Sequence, residues 1–427
     1  MQRESIRAWW PLTLLLIGIS VIMLTTLTGG WLARKLGQSR VIGEIVGGIL
    51  LGPSVFGRLA PNAANFLFPK ASFATYEVLS MAGLILFMFL VGMELDYEML
   101  YRQRKTALLA GGMSVLLPFA MGAMMARPLR LRFAAPGIGS SSFVLFLGIA
   151  MSITAFPVLA RILEERGLQR TELGTTAIFC AAVGDLFGWL LLSLALALIG
   201  APDAPSSMPM RLACLAAYLI VMLGVVRPLA ARLVRYRGDS ELSLEVLSIV
   251  VALTLASAAA TELIGVHPLF GAFIAGVCFP RVGKWQKTIR GRLDMLVSVL
   301  LLPLFFALTG MRTQLGLLNG KSALLWSGIV LLAAAFGKIA GAATAARWTG
   351  WSWRNATALG ALLNTRGLVE LVVLNIAYKA GVFSPTLFSM MVVMALLTTM
   401  STTPILSLLG IQNHSLARPP RKDQSAM

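Results

Sequence analysis

Four ionisable side chains stand where the surrounding residues leave little water for them. Asp185 lies near the middle of T-A-I-F-C-A-A-V-G-D-L-F-G-W-L-L-L-S-L-A-L (176–196), a run apolar and long enough to cross a bilayer. By insertion scales a charge at that depth costs about +2.5 to +3.5 kcal/mol. A chain keeps such an acid when it is protonated, paired or facing a wet cavity. Two chemistries therefore stand open: a protonated aspartate hydrogen-bonding between helices, or the ion or proton site that membrane acids mark by default. Lys338 falls near the centre of another apolar stretch, where snorkelling to either interface is a long reach. It is either a structural lysine or part of the same chemistry. Arg366 precedes Glu370 by four residues, so the two share a helix face where the helix is continuous. A local ion pair and a functional role are both consistent with that spacing.

Two interruptions accompany these charges. S-I-T-A-F-P-V-L (152–159) places Pro157 at mid-span, which removes a backbone donor and pushes Thr154, Ala155 and Phe156 toward extended geometry. A-L-L-N-T-R-G-L-V-E-L (361–371) places Asn364, Thr365 and Gly367 at comparable depth, a cluster that also disfavours uninterrupted helix. Irregular backbone inside a membrane is tolerated only where protein buries it or water reaches it. Paired breaks in the two halves of a chain point to a substrate site. The first broken span precedes the Asp185 span, and the second follows the Lys338 span. That reversal is the order an inverted repeat produces, though two unrelated kinks give it as well.

The elements that must position these residues are membrane spans. The chain has 427 residues, 57% of them hydrophobic and 13% charged, with mean hydropathy +0.81. Soluble domains are nearer a quarter charged, so the composition describes an all-α polytopic membrane protein. Thirteen spans are expected, at 12–32, 41–58, 74–95, 106–126, 140–163, 172–200, 210–235, 242–265, 267–280, 293–311, 321–347, 352–380 and 384–411. The run from Leu12 to Trp31 is too long for a signal-peptide core and reads as the first of them. The net charge of +18 sits in short loops, the positive-inside pattern, rather than forming a nucleic-acid-binding surface. Counting Lys and Arg by loop places the N-terminus outside and the C-terminus in the cytoplasm, with Arg161, Arg166 and Arg170 in one inward loop. The loop with Arg127, Arg130 and Arg132 runs against that bias. Cys180, Cys214 and Cys278 lie in apolar segments and read as core residues with no disulfide. Only two histidines occur, and no Walker, H-E-x-x-H or Cys/His pattern supports an ATP-driven pump or an intramembrane metalloenzyme. No cofactor is expected.

Six stretches together resemble the monovalent cation:proton antiporter-2 family, within the sodium/hydrogen exchanger superfamily. They are R-V-I-G-E-I-V-G-G-I-L-L-G-P-S (40–54), F-L-V-G-M-E-L-D (89–96), S-I-T-A-F-P-V-L-A-R-I-L (152–163), H-P-L-F-G-A-F-I-A-G (267–276), P-L-F-F-A-L-T-G-M-R-T (303–313) and L-N-T-R-G-L-V-E-L (363–371). The nearest likeness is to the cation/proton exchanger branch of plants and fungi. The resemblance implies a thirteen-helix homodimer with two crossed broken helices, in one transmembrane exchanger domain over 1–427. It implies a core from helices in 106–200 and 321–411, a dimer and gate side from 12–95 and 242–311, and a linker helix at 210–235. Asp185 matches the ion-binding aspartate, Ser152 and Thr154 the first break, Lys338 the buried core lysine, and Glu94 an acid of the third span. Family members usually carry Asp, Asn or Gln before that aspartate. Here the residue is Gly184, so Lys338 is expected either to pair with Asp185 or to neutralise half-helix carbonyls. The chain ends at Met427 without a nucleotide-binding or stress-protein-like tail, so gating by such a domain is expected to be absent or supplied by another chain.

The resulting expectation is exchange of Na⁺ or K⁺ for H⁺ across a bacterial plasma membrane by alternating access. Asp185 takes proton and cation in turn, with the Thr154 hydroxyl and carbonyls near Ala155 as further oxygen ligands. Alternatives on the same scaffold are a channel-like cation efflux protein and an organic-anion transporter of the bile-acid symporter fold. The central aspartate disfavours the anion. Gly43, Gly47, Gly48 and Gly52 form a small-residue face suited to close packing, within the chain or between chains.

Overall fold

The computed structural model describes residues 2–94, 97–134, 139–198, 208–237, 243–280, 284–313 and 321–411. Every element among them is helical, apart from one isolated bridge between Ala134 and Phe383. The helices are α1 (Gln2–Lys35), α2 (Arg40–Leu51), α3 (Phe56–Leu59), α4 (Pro61–Leu67), α5 (Lys70–Glu94), α6 (Tyr97–Phe133), α7 (Ser140–Ser152), α8 (Phe156–Glu165) and α9 (Glu172–Leu198). They continue as α10 (Met208–Val221), α11 (Arg227–Arg237), α12 (Leu244–Ile264), α13 (Pro268–Cys278), α14 (Lys284–Leu296) and α15 (Leu302–Met311). The last are α16 (Lys321–Trp348), α17 (Trp353–Leu363), α18 (Leu368–Lys379) and α19 (Pro385–Leu408). Single π-type turns, Met222–Val226 and Val297–Leu301, join α10 to α11 and α14 to α15.

Ten stretches among the described residues are long and apolar enough to cross a membrane. Helices satisfy their own backbone groups, which is why hydrocarbon tolerates them. Leu16, Leu27, Met124, Leu263, Leu332 and Phe336 are exposed on their outer faces, as lipid-facing residues must be. The chain is a multi-pass membrane protein. α6 packs against α7, α9 and α16, and α16 also against α17 and α19; α2 packs against α1 and α15, and α5 against α13 and α15.

The small-residue face of α2 is used inside the chain. Atoms on the positions of absent side chains would strike Gly29 from Gly43, Thr25 from Gly47, Ala307 from Gly48 and Met311 from Gly52. Only glycine lets the backbones of α1 and α15 come this near.

Three expectations change. α6 does not stop near 126 but runs to Phe133, so Arg127, Arg130 and Arg132 are helical rather than in a loop. The helix passes Pro128, which costs it one backbone hydrogen bond, and continues on Leu and Arg, which favour helix. Arg161 is not in a loop either: it lies in α8 and is 7% exposed, held there by carboxylates. Cys180 and Cys278 are buried free thiols as expected, whereas Cys214 is exposed on α10.

Candidate functional site

The two predicted interruptions are both present. α7 ends at Ser152 and α8 begins at Phe156, with Pro157 in its first turn, where a proline lacks no partner it would otherwise have. α17 ends at Leu363 and α18 begins at Leu368, leaving Asn364–Gly367 outside regular helix.

The two breaks cross and bond to each other. The Ala155 amide donates to the Thr365 carbonyl at 2.9 Å. The Thr154 hydroxyl donates to the Leu363 carbonyl at 3.1 Å. A side chain on Gly367 would lie 2.8 Å from Val158 and 3.1 Å from Ala155, so the crossing point requires glycine. Thr399 of α19 fastens the second break from behind: its hydroxyl accepts from the Arg366 amide at 2.8 Å and donates to the Arg366 carbonyl at 2.9 Å.

An interrupted helix exposes carbonyls at its C-terminal end and carries partial negative charge there. At the end of α7 that charge is met by two cations. Arg366 donates from Nη1 to the Ala150 carbonyl at 2.9 Å and from Nη2 to Met151 at 2.7 Å. Lys338 Nζ donates to the Ser152 carbonyl, and to Ser114 of α6 at 3.3 Å. Lys338 is fully buried and Arg366 nearly so. Of the two roles open to Lys338, this geometry is that of the carbonyl partner, and among the described residues it forms no ion pair with Asp185. Arg366 does pair with Glu370, Nη1 to Oε1 at 3.4 Å, although Arg366 stands in the break and not on the helix that carries Glu370. Ser152 also turns its hydroxyl back to Ile149 at 3.0 Å.

At the end of α17 the carbonyls meet neutral donors. Leu363 accepts from Thr154, Leu362 from the Thr365 hydroxyl at 2.9 Å, and Ala361 from the Thr402 hydroxyl at 3.2 Å. Asn364 caps this end with its side chain fully buried, and neither its Oδ1 nor its Nδ2 has a hydrogen-bond partner among the described residues. The sequence marked Asn364 only as a helix breaker. Both ends of this amide are left unspent at the crossing, and nothing in its spacing announced that.

Asp185 is 4% exposed, and its Oδ1 has no hydrogen-bond partner among the described residues. Its helix, α9, lies against the first break: a side chain on Gly188, one turn on, would come within 3.1 Å of Ile153. A side chain on Gly184 would lie 3.6 Å from Val115 of α6, next in the chain to Ser114, whose carbonyl Lys338 engages. The chain thus buries a carboxylate against the first break and commits the two nearby cations to helix ends. Glu94 closes α5, and its side chain lies outside the described residues.

A second charged cluster, unremarked in the sequence, joins α2, α8 and α14. Glu44 is fully buried in α2, with Arg40 Nε at 2.9 Å. Arg161 binds Glu164 at 2.7 Å, approaches Glu165 at 3.6 Å, and reaches Ser298 at 3.2 Å. Glu165 accepts from the Ser39 hydroxyl at 2.6 Å, and Arg290 of α14 approaches Glu164 at 3.3 Å. A cavity of about 510 Å³ opens beside it, lined among others by Arg34, Arg40, Arg161 and Arg166. Glu44 within an apolar run was the available signal.

Crossed interrupted helices around a buried carboxylate define a class of membrane transporters. The transmembrane sodium/hydrogen exchanger family profile matches residues 22–408, and the chain belongs to that family. It is 39% identical over 399 residues to the Na(+)/H(+) antiporter NhaS4 of Synechocystis sp., covering 92% of this chain and 97% of that protein. It is 38% identical to Cation/H(+) antiporter 19 of Arabidopsis thaliana and 34% identical to K(+)/H(+) antiporter 1 of Saccharomyces cerevisiae. The alignments cover 94% and 97% of this chain but about half of each of those longer relatives. The sodium proton antiporter MjNhaP1 of Methanocaldococcus jannaschii shares the fold, with a TM-score of 0.68 at 15% identity over 94% of this chain and 98% of that one.

Proposed function

We propose that the chain is a monovalent cation/proton antiporter in which Asp185 holds H⁺ and Na⁺ or K⁺ in turn. The observation that carries this reading is the Asp185 carboxylate: buried, with an oxygen unspent, beside crossed breaks whose cations are engaged elsewhere. An alkali cation is hard and takes oxygen ligands. The Thr154 hydroxyl oxygen retains acceptor capacity after donating to Leu363. The Asn364 amide oxygen and carbonyls near Ala155 complete a plausible oxygen set, and the α17 end supplies negative potential without a competing cation. Ser152 serves by presenting its carbonyl to Lys338.

Proton and cation compete for one carboxylate, so the site crosses loaded with one or the other. Helices in 106–200 and 321–411 form the moving core, and those in 12–95 and 242–311 form the dimer and gate side of a homodimer, with 210–235 as the linker. The N-terminus lies outside and the C-terminus in the cytoplasm of a bacterial plasma membrane. Relatives are named for Na⁺ and for K⁺, and both cations are candidates.

The test is Asp185→Asn in inverted membrane vesicles. The variant is expected to lose Na⁺- and K⁺-dependent dissipation of an imposed pH gradient while still reaching the membrane. Dissipation at the wild-type rate overturns the proposal.

A further inference from the structure

An apolar cavity, apart from the charged cluster, borders the second break. It occupies about 310 Å³ between α2 and α19. Ile45, Ile49 and Leu396 form its walls, and its deep end reaches Gly367 of the second break. Val46 and Leu397 line it and are also 40% and 42% exposed. The cavity therefore opens sideways, at the depth of the helix middles, onto the face that meets lipid.

We propose that this cavity is a binding site for one acyl chain of a bilayer lipid. Its exposed lining is almost wholly hydrocarbon, and the hydroxyls of Thr309, Thr313 and Thr399 are turned to backbone carbonyls, so it offers little to water or to an alkali cation. Arg366 touches it, but its Nη1 and Nη2 are engaged by Ala150, Met151 and Glu370 and only its buried Nε is without a partner among the described residues, so its charge is already compensated at the deep end. A void lined by apolar atoms forfeits dispersion contacts until something apolar fills it. The medium at its mouth is lipid chain. A helix of a second copy, about 10–12 Å across with its side chains, would cover the mouth without filling the cleft; a flexible chain enters it end-on. Its position places that chain between α2 and the helix that fastens the second break.

The test uses purified full-length protein in nanodiscs containing a phosphatidylcholine with a diazirine at mid-acyl chain, photolysed and mapped by mass spectrometry. Adducts are expected several-fold enriched on peptides spanning 42–49 and 392–400 relative to the exposed Leu253 and Leu255 face of α12. Val393→Phe, which fills the cavity from α19, is expected to bring that enrichment down to the level of the α12 face. Thr309→Met fills it from α15 and provides the same reading if the first variant does not fold. Equal labelling of all lipid-facing helices, unchanged by a folded filling variant, overturns the proposal. So does protein–protein cross-linking between copies through both cavity faces in place of lipid adducts. Neither readout depends on transport.

Discussion

Arg366 answers to two kinds of partner, and the difference is measurable. It holds the Ala150 and Met151 carbonyls and also faces Glu370 at 3.4 Å. Removing one member of a buried ion pair typically costs about 3–5 kcal/mol because the other charge is left without compensation. Arg366→Ala strands Glu370 and frees two carbonyls, so it is expected to lose at least that much, seen as a large fall in Tm in detergent. Glu370→Gln leaves Arg366 on the carbonyls and is expected to cost clearly less. Equal losses would show that the carbonyl contacts contribute little. The spacing of Arg366 and Glu370 was legible in the sequence as an ion pair. The carbonyl partners were not, because they come from a helix some 215 residues away in the chain. The Arg40–Glu44 and Arg161–Glu164 spacings are local and stood in the sequence, where Arg161 was assigned to a loop; that the two pairs form one cluster depends on α2 meeting α8, where Glu165 takes the Ser39 hydroxyl and the Arg40 amide.

Helix ends, more than helices, organise the site. Pro157 and the Asn364–Gly367 cluster announced both breaks, since proline and glycine chemistry is local and sequence reads it well. What the sequence left open was how each end is compensated. Lys338 had two possible partners, and the fold gives it the Ser152 and Ser114 carbonyls. The asymmetry that results, cations on the α7 end and hydroxyls on the α17 end, is a property of the crossing. Hydrogen bonds to a charged group contribute about 1.5–3 kcal/mol. Lys338→Met keeps much of the bulk, drops the charge, and is expected to lower stability by about that amount in a thermal melt. If Lys338 serves the helix end, Lys338→Arg should recover part of the loss. A Met variant as stable as wild type would remove the lysine from that role.

Among the described residues the expected spans fall on helical segments or broken pairs, ten stretches of them long and apolar enough to cross a membrane, because long apolar runs leave the chain few alternatives in a bilayer. Orientation rests on the loop charges alone. Lys35 lies at the end of α1 and Lys379 at the end of α18, both exposed. In intact cells an impermeant thiol reagent is expected to label Lys379→Cys and spare Lys35→Cys, with the native cysteines replaced. The reverse pattern would invert the topology. Service of both ions by one carboxylate is measurable without a membrane, through linkage. If a cation displaces a proton from Asp185, the cation must raise proton release by as much as protons weaken its own binding. The direct measurement is proton release into weakly buffered solution as NaCl or KCl is added to purified protein, with choline chloride as the control. Release by the wild type is expected, with apparent cation affinity that falls as pH is lowered and no release by Asp185→Asn. Cation binding by the wild type without proton release, or release that survives in Asp185→Asn, would contradict it.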